Sequence, residues 1–83
     1  MSSMEIVVYG NQRCGGVRRA RLFLDTHQIS YRFVDIDLDE EAARHVETLA
    51  SGYRSVPTLE WPDGSVLVEP SENMLAEKCG LKG

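Results

Sequence analysis

The first third of the chain sets the tightest bounds on its fold. An apolar β-branched run, Ile6-Val7-Val8-Tyr9, is followed by a helical stretch from Gly15 to His27 and then by an alternating segment, Tyr31-Arg32-Phe33-Val34-Asp35-Ile36. A short continuous apolar run fits a strand covered on both faces. Val17, Ala20, Phe23, Leu24 and His27 recur at the 3.6-residue period and put one side of the helix on a core. A strand, a helix and a strand joined by tight connections form a right-handed crossover, so the two strands must run parallel. With 83 residues in all, the rest of the chain can only extend this sheet.

The extension is readable. Asp37 and Glu40 are spaced as an N-capping pair, and Ala42, Ala43, Val46, Leu49 and Ala50 supply the apolar stripe of a second helix that Ser51-Gly52 stops. Val56 to Trp61 reads as a third strand, Pro62-Asp63-Gly64-Ser65 as a turn, and Val66-Leu67-Val68 as a fourth strand paired antiparallel in a hairpin. Pro70-Ser71 opens a last helix with Ser71 as its cap, Met74, Leu75 and Cys79 on its apolar side and Gly80 at its end. The order βαβαββα, without repeats or linkers, is that of one α/β domain over residues 1–83 with a four-stranded mixed sheet.

Composition removes several classes of function. A formal charge of −4 argues against a nucleic-acid binder, which needs a basic surface to neutralise phosphates. No stretch approaches the roughly 20 apolar residues of a membrane span. Met1-Ser2-Ser3-Met4-Glu5 lacks the basic start and apolar core of a secretory signal, so the chain is expected in the cytosol with its thiols reduced. Cys14 and Cys79 have no Cys or His neighbour at metal-ligand spacing, so no metal site is expected.

Cys14 stands just before the first helix, with Arg13, Arg18 and Arg19 around it. Free backbone N–H groups and the positive end of the helix dipole favour a thiolate there, and the arginines add to the effect. Read from its own position, Cys14 is either a nucleophile or a small core side chain. Pro57 marks a strand start or an edge, because proline cannot donate to a ladder. From residues alone its peptide bond is expected trans, since only about one X-Pro bond in twenty is cis.

Taken together, Cys14 at the first strand-to-helix junction, Ser55-Val56-Pro57-Thr58 before the third strand, and Asp63-Gly64-Ser65 followed by Glu69-Pro70-Ser71-Glu72 resemble the glutaredoxin family. The likeness is to its short bacterial and mycoredoxin-like members, and it runs from Ile6 to about Leu81. It implies a thioredoxin-like fold with helices on both faces of the sheet and a cis bond before Pro57. It also implies a thiol-disulfide exchange site centred on catalytic Cys14. By the same resemblance, Val56 and Pro57 would hold the cysteinyl part of a small thiol such as glutathione or mycothiol. Ser71 and Glu72 would meet its charged end, and Arg13 and Arg54 would complete the site, Arg54 toward a carboxylate. The small thiol is then a co-substrate and no other cofactor is needed. The partners are thiolated proteins, and the chain acts as a monomer.

One departure stands out. Dithiol family members carry Cys-Pro-X-Cys where this chain has Cys14-Gly15-Gly16-Val17, so the resolving thiol is absent and a monothiol mechanism is expected. Two alternatives follow from that departure. One is iron–sulfur cluster binding or transfer by a dimer, as in monothiol glutaredoxins with Cys-Gly-Phe-Ser, of which this chain keeps only Cys14-Gly15; the other is a glutaredoxin-fold interaction module that has lost exchange activity. Tyr9 is expected to pack near the thiol, and Trp61 in core or edge packing; His27 and His45 are expected to have no catalytic role.

Overall fold

The computed structural model describes residues 5–81, so Met1 to Met4 and the last two residues lie outside the described residues. The elements are β1 (Ile6–Gly10), α1 (Gly15–Thr26), β2 (Tyr31–Asp35), α2 (Glu40–Leu49), β3 (Thr58–Glu60), β4 (Val66–Val68) and α3 (Glu72–Lys78). The sheet order is β2-β1-β3-β4; β1 pairs parallel with β2 and antiparallel with β3, and β3 pairs antiparallel with β4. Both the parallel crossover and the hairpin follow the sequence expectation.

Because β1 is central, its successive side chains feed two separate cores. Ile6 and Val8 join Ala20 and Leu24 of α1, Leu59 of β3 and Leu75 of α3 on one face. Tyr9 joins Ile36 and Ala43, Val46 and Ala50 of α2 and its C-terminal end on the other. Helices therefore cover both faces, as a thioredoxin-like fold requires, and the continuous apolar run of β1 has its reason.

Several boundaries differ from expectation for local reasons. The cap of α2 is Asp39, whose side chain accepts from the Ala42 N–H, and not Asp37. Asp37 is held in a turn: its N–H donates to the Asp35 side chain and the Leu38 N–H to the Asp35 carbonyl, which delays the helix. Strand β3 is shorter than Val56–Trp61. The Trp61 N–H donates to the Ser65 carbonyl and the Gly64 N–H to the Trp61 carbonyl, which puts Trp61 in the hairpin turn. Met74 is exposed, while Cys79 packs against the first core. Ser71 caps α3 by accepting from the Met74 N–H, and Gly80 ends it at φ +75°, both as expected.

The pairing direction brings the site together. The C-terminal ends of β1 and β2, the N-terminal end of β3 and the C-terminal end of β4 all lie at one edge of the sheet, because Tyr9 pairs with Val34 and Thr58, and Thr58 with Val68. The β1–α1 loop with Cys14, the turn before β3 and the start of α3 are thus neighbours.

Candidate active site

Cys14 is the N-cap residue of α1, in extended conformation, and its side chain makes no capping bond, so the sulfur is not tied to the backbone of its own helix. Asn11 fixes the approach: its side-chain oxygen accepts from the N–H groups of Arg13 and Cys14 at 3.1 and 2.9 Å. Such an Asx turn pins the loop without using the thiol. The thiol is half-buried, and its Sγ donates a long contact of 3.8 Å to the Val56 carbonyl. The Val56-Pro57 peptide bond is cis, as the family resemblance implies and contrary to the expectation from residues alone.

These groups border a cavity of about 420 Å³. Cys14, Val56, Pro57, Ser71 and Glu72 all line it, together with Arg19, Glu69 and Pro70. Gly16 is its narrow point: a Cβ there would sit 3.2 Å from Pro57 Cδ and 3.6 Å from Cys14 Sγ. The same position lies 3.9 Å from an Arg19 guanidinium nitrogen, so Arg19 reaches back over the first turn of α1. Glu69 takes a left-handed φ of +49° and its N–H donates to the Pro57 carbonyl at 2.7 Å, tying the turn of Pro57 to the entry of α3.

Two expected site residues stand apart from this cavity. Arg13 is highly exposed and faces Asp37 at 3.5 Å. The Arg54 guanidinium is engaged by Glu40 at 2.7 Å and Glu47 at 2.6 Å; these bonds hold its proton more tightly than usual and pull the Glu40 carboxyl below the usual carboxylate range. Arg19, Asn11 and Glu69 were not singled out as binding residues by sequence. Asn11 has a signal in the sequence as an Asn in a short strand-to-helix loop, Arg19 as one of the arginines around Cys14 and Glu69 as part of the motif before α3; Arg19 reaches the cavity by folding back along its helix.

Tyr9 packs in the core beneath α2 and does not line the thiol cavity. Its hydroxyl donates to Glu60 of β3 at 3.1 Å, and burial followed by that carboxylate pushes it up to about 12. His45 meets the same Glu60 oxygen at 3.0 Å and His27 stacks on Phe23, so neither histidine borders the thiol cavity. Cys79 packs against the first core, and burial raises its thiol. Among the described residues no group of His, Cys, Asp or Glu could hold a metal, and no helix is long and apolar enough to cross a membrane.

The sequence pattern of the Glutaredoxin family matches residues 6–66, well over half of the chain. The chain belongs to the glutaredoxin family. Similar proteins agree with that placement. A Mycobacterium tuberculosis protein that bears a glutaredoxin name is 33% identical over 78 residues, covering 94% of this glutaredoxin and 93% of the relative. Mycoredoxin 1 of Corynebacterium glutamicum is 32% identical over 65 residues, 78% of this chain and 80% of its own. Among solved structures, a point mutant of the thioredoxin-like protein BC3987 superposes with a TM-score of 0.83 at 22% identity, over 96% of this glutaredoxin and the whole of that chain, which shows the fold. A thiol-disulfide oxidoreductase-like role is what family and fold together support.

Proposed function

We propose that this glutaredoxin exchanges thiol for disulfide through Cys14 alone, acting on mixed disulfides between protein cysteines and a low-molecular-weight thiol such as glutathione or mycothiol. It works as a monomer in the cytosol, with no metal or nucleotide cofactor. The observation that carries this reading is the shared cavity, in which a half-buried sulfur at a helix start faces the Val56-Pro57 turn and the entry of α3. Val56 and Pro57 flank the cysteinyl part of the small thiol. Ser71, Glu72 and Arg19 meet its charged groups. Arg13 and Arg54 serve as rim contacts for a carboxylate, Arg54 by exchanging Glu40 or Glu47 for the ligand.

In the first step the Cys14 thiolate attacks the small-thiol sulfur of the mixed disulfide. A bond forms between Cys14 Sγ and that sulfur as the bond to the protein sulfur breaks, and the protein leaves as a thiolate that takes a proton from water. A second small thiol, as its thiolate, then attacks the same small-thiol sulfur. Cys14 is expelled as a thiolate and the small-thiol disulfide departs. One disulfide bond is present before and after each step, so the small thiol is the sole reductant. Val17 offers hydrocarbon where a dithiol relative offers its second sulfur, which closes the intramolecular route.

The test is turnover of a glutathionylated and a mycothiolated peptide by the full chain, each with its matching free thiol. Wild type is expected to reduce one of them and Cys14→Ser neither; undiminished turnover by Cys14→Ser overturns the reading. Mass spectrometry after exposure to each oxidised small thiol is expected to find the adduct on Cys14 and not on Cys79, whose burial disfavours its thiolate.

A further inference from the structure

A second cavity, of about 280 Å³, meets the first at Cys14 and runs down the outer side of α1. Asn11, Gln12 and Arg18 line it near the thiol, Leu22 lies a turn further along, and Asp25 is at its far end. Leu22 is 63% exposed, so a large apolar side chain faces solvent on this side of the helix. Two arginines border this cavity, but they are not equally available. Arg21 is engaged, with its guanidinium 4.1 Å above the Phe33 ring and its Nε donating to the Tyr31 hydroxyl. Arg18 is exposed and enters no ion pair among the described residues. In a chain of net charge −4, the thiol end of this cavity is locally cationic and partly apolar.

The exchange step needs two occupants. If the small thiol fills the first cavity, the protein that carries it must leave the shared sulfur in another direction, and the second cavity is a concave surface that also borders Cys14. We infer that this second cavity receives the protein half of the mixed disulfide, as an extended segment with an acidic residue two positions from its cysteine that pairs with Arg18. The inference rests on the exchange reading and deepens it by naming the substrate class.

The spacing follows from backbone dimensions. Arg18 lies four residues, or about 6 Å, along α1 from Cys14. An extended segment advances roughly 3.3 Å per residue and repeats its face every second residue, so a side chain two positions away falls about 7 Å from the substrate cysteine on the same side. That matches Arg18. Asp25 lies about 10 Å further along the helix and does not compete for the same contact. Leu22, one turn beyond Arg18, provides the apolar floor on which the segment rests.

The experiment uses two peptides, each disulfide-linked to whichever of glutathione and mycothiol supports turnover, and identical except for Glu or Lys at both positions two residues from the cysteine. A non-peptide control is the mixed disulfide of mercaptoethanol with each of the two small thiols. Wild type is expected to favour the Glu peptide in kcat/KM by about fivefold at low ionic strength, with the preference shrinking in high salt. Arg18→Glu is expected to invert the preference and Arg18→Ala to erase it. Both peptides meet the same sulfur, so their ratio cancels any change in thiol reactivity or in the amount of folded protein. Equal rates for the two peptides in wild type, or a preference that survives Arg18→Glu, overturns this inference alone. Failure to turn over the mercaptoethanol mixed disulfide of either glutathione or mycothiol overturns the exchange reading and this inference with it.

Discussion

Replacing Gly10 by alanine is the sharpest test of how the first helix is seated, and its cost can be worked from the structure. Gly10 ends β1, directly beneath Val17 in the first turn of α1; an added Cβ would lie 2.6 Å from Val17 Cγ2 and 2.8 Å from Cγ1. Ordinary contact begins at 3.4 Å, so the closest pair must part by about 0.8 Å. Val17 is 2% exposed and β-branched, and any rotation about χ1 leaves at least one of its two methyls toward Gly10 while forcing the side chain off its favoured helical rotamer. The strain of overpacking then amounts to about 1–3 kcal/mol, less the roughly 0.5–1 kcal/mol that alanine gains over glycine in a strand. At a net cost of about 1–2 kcal/mol the melting temperature should fall by roughly 4–16 °C. Val17→Ala alone should cost about 2 kcal/mol through lost burial and a residual cavity. In that background Gly10→Ala should cost close to nothing, because its methyl enters the space that was vacated. Urea denaturation of the four proteins, followed by Trp61 fluorescence and far-ultraviolet circular dichroism, gives the coupling directly. A coupling of about 2 kcal/mol is expected, and additivity within about 0.5 kcal/mol would refute the packing argument.

Other expectations are simpler to state. Ser71→Ala removes the cap of α3 and should lower stability by about 1 kcal/mol in the same denaturation assay, while raising KM for the small thiol. Tyr9 is held neutral by its buried setting and by Glu60, so its stabilising effect is present below pH 10 and is lost as pH rises through about 12. Wild type should therefore lose more stability than Tyr9→Phe between those values, and tyrosinate absorbance should show one tyrosine titrating late. Arg54→Ala should return the Glu40 carboxyl toward its ordinary range, seen by nuclear magnetic resonance titration of its side chain. Val17→Cys places a thiol three positions after Cys14, on the same side of the helix, and oxidised protein should then show two fewer reactive thiols than the reduced form.

How much of this was legible in the sequence depends on how local each determinant is. The strand pairing directions were, because apolar periodicity and short connections leave few alternatives. The two-sided burial of β1 could be read from four residues, Ile6 to Tyr9. The α2 cap was misread, since Asp37 and Asp39 both precede an acidic helix start and only the turn made by the Asp35 side chain decides between them. Of the site, Cys14, Val56, Pro57, Ser71 and Glu72 were named and are found around one cavity. Arg19 was missed as a member because its guanidinium reaches the cavity by folding back over Gly15 and Gly16, a side-chain path that no spacing encodes. Arg54 lies three residues before Pro57, but its direction is set by Glu40 and Glu47 of α2, which sequence proximity to the proline does not reveal. Tyr9 takes the core placement beneath α2 and does not line the thiol cavity; side chains alternate along a strand, and a run apolar on both faces does not say which face carries the thiol.

Val17 links the packing of the fold to the kinetics of the chemistry. A second cysteine at this position would need a polarisable, reactive sulfur near the cavity, whereas a valine needs only a place for two methyls. The bare backbone of Gly10 supplies that place, since the γ carbons of Val17 occupy the volume that any larger residue at position 10 would claim. The substitution thus adds buried hydrocarbon at the helix start and in the same change removes the intramolecular exit for a disulfide on Cys14. On the proposed monothiol reading, once Cys14 carries a small thiol the adduct is resolved by a thiol arriving from outside. Turnover should then follow the concentration of free small thiol in direct proportion until the first step limits it. An adduct should accumulate on Cys14 whenever that concentration is low, whereas a dithiol relative would instead accumulate an internal disulfide. Trapping the steady-state protein with acid at low free thiol, and weighing it, distinguishes the two; an unmodified Cys14 under those conditions would mean that the second step is not the slow one.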